Sequence, residues 1–131
     1  MKYMLMTFGE AAEMFETKSP DWITRMIECM HAFNEGLRTA GELVETRGLV
    51  DGRHAKTVRL VDGVCVATDG PFAEAKESLV GYWVVDVESE ARAIELAKGL
   101  GDSLHQLDPT RDQDSSEAIE VRRIADGPPE P

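Results

Sequence analysis

The alternation of strand-like and helix-like stretches predicts an α+β fold, a ferredoxin-like sandwich with an inserted β-hairpin. Three observations carry it. Apolar stretches follow the order β, α, β, hairpin, β, α, β along the chain. Two segments have helical apolar spacing and serine caps. The first and penultimate strands are apolar on both faces, so each must be covered twice. The 131 residues fit one domain over 1–124, followed by a Pro-rich tail, 125–131. A chain of this length buries about two-thirds of the surface its unfolded form exposes, enough to fold without staples.

Each element has a local reason. Lys2 to Phe8 reads as a strand, with Tyr3 and Leu5 on one face and Met4, Met6 and Phe8 on the other. Ser19-Pro20-Asp21 opens a helix: serine caps, proline fits the first turn, and aspartate suits the dipole. Trp22, Ile23, Met26, Ile27, Met30, Phe33 and Leu37 form its apolar stripe, and Gly41 ends it. Glu42 to Gly48 reads as a second strand. Asp62-Gly63 between two β-rich runs specifies a type I′ hairpin, pairing Val61 with Val64 and Leu60 with Cys65. Val80 to Val87 is the next strand. Ser89 caps a second helix with Ala93, Ile94, Ala97 and Leu100 buried, and Gly99 or Gly101 is expected to stop it. Ala118 to Ile124 reads as the last strand, and the proline-rich end cannot extend a sheet.

Two helices cover one sheet face only. The apolar residues on the other face would form a large exposed patch in a monomer, so a two-fold homodimer with sheets packed face to face is expected. The space between the sheets is then the expected ligand pocket.

Composition excludes several functions. With 14 Lys+Arg against 25 Asp+Glu, the net charge is −11. No basic stripe exists to displace counterions from phosphates, which argues against direct nucleic-acid binding or adsorption to anionic membranes. No apolar run has the length of a membrane span, and the short apolar opening ends at Gly9-Glu10, so a cytoplasmic location is expected. Cys29 and Cys65 form no Cys-x-x-Cys pair and read as small core residues in a reducing compartment. Neither a nucleotide-binding glycine loop nor a Gly-x-Ser-x-Gly elbow occurs, and no cofactor is implied. His54 and His105 lack partners at ligand spacing, so no metal site is expected.

The stretch Asp69-Gly70-Pro71-Phe72-Ala73-Glu74-Ala75-Lys76-Glu77 resembles the DGPF-domain family, a branch of the YCII-related proteins. The opening Met1–Met6, the strand Gly81-Tyr82-Trp83-Val84-Val85-Asp86-Val87 and the closing Ile119–Arg123 resemble it too. The resemblance implies a dimeric α+β barrel. It implies little about activity, and whether the protein is an enzyme is left open. Some members are suspected enzymes with a His–Asp pair in the cleft, and genes of DGPF members often adjoin those of extracytoplasmic-function sigma factors. This chain departs from the family's usual pattern in its acidic segment 108–117 and its Pro-rich tail.

The candidate catalytic residues are Asp69 and His31. Asp69 leaves the hairpin strand where its carboxylate would act as a general base, or would bond its own turn backbone. His31 lies beside the Met30/Phe33 stripe, and by the resemblance it matches the helix histidine of that pair. An Asp69–His31 dyad would let the carboxylate fix the imidazole tautomer. The candidate ligand-binding residues are Tyr3, Phe72, Lys76, Tyr82 and Trp83. The aromatic ones serve equally as core, and Tyr82 and Trp83 fall on opposite faces. Two functions follow as expectations: a small molecule bound in the cleft of the dimer, with acid/base chemistry if it is catalytic, or a regulatory protein whose acidic segment meets a basic surface of a sigma factor.

Overall fold

The computed structural model describes residues 1–9, 15–70, 78–107 and 118–129. Its elements are β1 (Lys2–Gly9), α1 (Pro20–Thr39), β2 (Leu43–Gly48), a 3-10 turn (Gly52–His54), β3 (Lys56–Val61), β4 (Val64–Asp69), β5 (Ser78–Asp86), α2 (Glu90–His105) and β6 (Ile119–Arg123). Strands β2, β5, β1 and β6 form an antiparallel sheet in that order, and β3–β4 form a separate two-stranded sheet. In β1–α1–β2 the two strands flank β5. In β5–α2–β6 they flank β1. The two strand–helix–strand units therefore interleave.

Local chemistry sets the ends of α1. Ser19 Oγ accepts from the Trp22 amide at 3.1 Å, and Pro20 occupies the first helical position. At the other end Gly41 adopts φ +70°, a backbone that side chains disfavour. Its N–H donates to the Arg38 carbonyl and that of Glu42 to the Leu37 carbonyl, the paired bonds of a Schellman motif.

The core lies on one sheet face. Tyr3 and Leu5 of β1 and Trp83 and Val85 of β5, with Val87 just beyond it, pack with Leu37 of α1 and Ala93, Ala97 and Leu100 of α2. The opposite face carries Met4, Met6 and Tyr82, all half-buried, and Val84, which is buried; among the described residues the core cluster draws no helix from this side. The pattern of strands apolar on both faces is thus present, and the helices choose the Tyr3/Leu5 face.

The second helix departs from expectation. It runs through Gly99 and Gly101 to His105. Two interior glycines cost about 1 kcal/mol each relative to alanine. The added turn brings Leu104 onto the core cluster, and Gly101 lies under Ile119, whose Cδ1 would sit 3.8 Å from an added Cβ. Burial of Leu104, worth about 1.5–3 kcal/mol when complete, offsets the glycine cost. Ile94 also departs: it is exposed, outside the buried stripe.

The hairpin has its expected register, with Val61 opposite Val64 and Leu60 opposite Cys65. Asp62 at φ 50° and Gly63 at φ 81° make the type I′ turn. Its side chains are largely uncovered, with Leu60 70% exposed. Cys65 is therefore exposed, not a core residue, because among the described residues no layer covers β3–β4. Cys29 is half-buried on α1; burial pushes its thiol up, and a hydrogen bond with Ser103 partly counters this. Thr57 Oγ1 donates to the Gly70 carbonyl at 2.7 Å, and the Gly70 N–H donates to the Ala55 carbonyl at 2.8 Å, closing the hairpin's base.

Candidate functional site

A cavity of about 700 Å3 lies between α1, the helix-covered face of the sheet and the end of α2. The sequence pointed to the opposite side of the sheet, between two subunits. The cavity has a local cause. Helix α1 presents two adjacent stripes. Trp22, Met26 and Met30 recur every four residues, and Ile27, His31 and Asn34 lie beside them. The sheet below offers small side chains: Thr7 of β1, Thr46 and Gly48 of β2, and Gly81 of β5. Small residues beneath a helix leave space that large ones would fill.

Gly81 also permits close approach of the strands. A Cβ there would lie 3.2 Å from the Arg47 carbonyl oxygen and 3.6 Å from Thr7 Oγ1. Thr7 Oγ1 donates to the Gly81 carbonyl at 3.3 Å, and Thr46 Oγ1 donates to that of Tyr82 at 3.0 Å. Both threonine protons are therefore used within the sheet.

The best-defined polar contact joins α1 to the floor. Trp83 Nε1 donates to Asn34 Oδ1 at 2.7 Å, and the Trp83 ring meets Phe33 edge-on at 5.5 Å between centroids. Lys18 Nζ stands 5.0 Å from the Trp22 ring centroid, within cation–π range. Trp22 Nε1 is buried and has no acceptor among the described residues, a state that costs about 1–3 kcal/mol. Although Arg47 borders the cavity, its register opposite Tyr82 turns its side chain to the other face, near Glu45.

The sequence-derived candidates are distributed unevenly. His31 and Trp83 both line the cavity. Asp69 does not: it ends β4, 89% exposed, with its carboxylate on Lys56. Within one chain the cavity therefore gathers His31 without Asp69. Tyr3 is core, and Tyr82 lies on the uncovered face. Phe72, Lys76 and the rest of the 71–77 segment lie outside the described residues, as does the acidic segment 108–117. Sequence reading missed Asn34, although its signal was available: it stands three residues after His31, on the same helix face. Met26 and Met30 of the apolar stripe both line the cavity, Met26 buried and Met30 packed against the core cluster.

Among the described residues no three His, Cys, Asp or Glu side chains gather in a metal-holding group, and no helix is long and apolar enough to cross a membrane.

An uncharacterized protein of Rhizobium meliloti (strain 1021) is 33% identical over 79 residues, 60% of this chain and 64% of that protein. The chain therefore matches somewhat less than two-thirds of that relative's length. The family model of the YCII-related domain matches residues 1–125, from β1 through β6, and on that match the chain belongs to the YCII-related family.

Proposed function

We propose that this protein is a homodimer of ferredoxin-like subunits, of the DGPF branch, that binds a small molecule in the cavity beneath α1. One observation carries the binding reading. A space of about 700 Å3 has mostly apolar walls and a few converging polar side chains, among them His31 and Asn34. Ligand sites are commonly built this way: apolar walls give affinity and sparse polar groups give orientation. The strand order β2-β5-β1-β6, with the core on one face, supports the ferredoxin-like reading. The dimer is supported by the uncovered sheet face with Met4, Met6 and Tyr82, and by the exposed apolar hairpin.

If the protein is catalytic, proton transfer falls first to His31, the candidate that borders the cavity. Asp69 joins it only where a partner subunit carries the hairpin end to the cavity. The test is native mass spectrometry on protein purified gently from its own cells. A dimer carrying a defined small mass supports the proposal and identifies the ligand class. A monomer overturns the dimer. A dimer that arrives bound to a protein chain, with no small mass, overturns the ligand reading in favour of a regulatory partner such as a sigma factor.

A further inference from the structure

We infer that the cavity takes an organic acid with an apolar body, and that Asn34 Nδ2, with His31 one turn away, receives its carboxylate. This rests on the reading that the cavity binds a small molecule.

The first argument is orientation. An indole nitrogen only donates, so the Asn34 atom 2.7 Å from Trp83 Nε1 must be the carbonyl oxygen. Trp83 thereby fixes the amide and leaves both Nδ2 protons for another acceptor. No protein acceptor takes them among the described residues. Asparagine is a poor helix former, and here it sits in the middle of a 20-residue helix. His31 precedes it by three residues on the same face, so the two side chains are neighbours on the cavity wall.

The second argument is charge. The chain carries 25 Asp+Glu and a net charge of −11. Yet the described residues lining the cavity include His31 and His105 and not one carboxylate. A cavity for a cation or a polyamine would use the acids this chain has in excess. A wall whose described residues are free of them, with donors upon it, suits a ligand that brings the negative charge itself.

The third argument is the body. Met26, Ile27, Met30, Leu49, Val80 and Trp83 make the remaining wall apolar. Methionines adapt to flat ring systems, and Trp83 offers an aromatic surface.

The test is isothermal titration calorimetry with three probes of one skeleton: 2-naphthoate, 2-naphthamide and 2-naphthylmethylammonium. Naphthoate is expected to bind at least ten-fold tighter than the amide, and the ammonium weakest. In Asn34→Asp the new carboxylate still accepts from Trp83, but the amide donors are gone. Naphthoate should then lose thirty-fold or more, and the ammonium should gain. On the wild-type protein, the Asn34 side-chain NH2 resonances should move with naphthoate and much less with the ammonium, a readout independent of how the variant folds. Equal affinity of the three probes overturns the acid inference and leaves the cavity reading intact. Unmoved Asn34 resonances with tight naphthoate binding overturn the role of Asn34. If none of the three binds to folded protein, both the inference and the cavity reading fall.

Discussion

Glu42→Gln tests how the two helices are tied to the sheet. Glu42 follows the end of α1, and its backbone carbonyl accepts from the Asp86 N–H at the end of β5. Its carboxylate receives two bonds from Arg92 in the first turns of α2, Nε to Oε2 at 2.9 Å and Nη2 to Oε1 at 2.7 Å. One residue thus links the end of α1, the start of α2 and the central strand, and its side chain makes the link to α2. The Glu42 side chain is 14% exposed and that of Arg92 30%, so solvent screens the pair only in part. Charge-assisted bonds of this kind contribute about 1.5–3 kcal/mol each when well made. Glutamine keeps one acceptor, and Arg92 retains Glu95 at 3.0 Å, so the guanidinium is not stranded. The expected net loss is about 1–2 kcal/mol, or roughly 4–7 °C in Tm for a chain of this size.

The loss has a pH signature. Arg92 holds the Glu42 carboxyl below its ordinary value, chiefly through these hydrogen bonds, and Glu42 in turn holds the Arg92 proton more tightly. A carboxyl with a lowered folded pKa contributes stability in full above its unfolded value, about 4.5 here, and loses it as pH falls through the folded one. Thermal melts of wild type and Glu42→Gln should differ at pH 7 and draw together as pH falls below about 4.5. A difference under 1 °C at pH 7, or one that persists unchanged at pH 3, would refute the reasoning.

Other substitutions probe the cavity and the hairpin. Trp83→Phe removes the donor to Asn34 and part of a buried ring, and urea unfolding should show a loss of about 2–4 kcal/mol; a loss under 1 kcal/mol would mean that the Trp83–Asn34 bond is not a structural tie. Gly81→Ala presses a methyl against the Arg47 carbonyl at 3.2 Å and should cost about 1–3 kcal/mol while weakening naphthoate binding; unchanged stability and binding together would show that the strands are free to spread. Gly63→Ala forces a side chain onto φ 81°, at about 1–2 kcal/mol. Amide exchange should quicken about 5–30-fold in β3–β4 and change little in β1 and β5. Equal acceleration in both sheets would deny the hairpin its separate stability.

Much of this architecture was legible in the sequence because it depends on neighbours along the chain. Ser19 and Ser89 cap helices through the amide three residues on. Gly41 and Asp62-Gly63 stand where the backbone needs positive φ, and that requirement is local. Hairpin register followed from the turn alone, and the family from matching residues along nearly the whole chain. His31 and Trp83 were also identified from sequence as site candidates, and both border the cavity.

What the tertiary structure decided depends on residues far apart. With β1 and β5 apolar on both faces, periodicity could not say which face the helices cover; the joint packing of Tyr3, Leu5 and Val85 with Leu37 and Leu100 decided it. Glycine propensity argued for an early end to α2, but Leu104 and Ile119 lie where a longer helix can be buried. Cys65 reads as a core residue from its strand pattern, yet among the described residues no layer covers its hairpin. The cavity arises because Thr7, Thr46 and Gly81, small residues from three strands, fall under one stretch of α1. Asn34 becomes a candidate for ligand binding only because Trp83, 49 residues away, donates to its carbonyl oxygen and leaves its amide protons without an acceptor among the described residues.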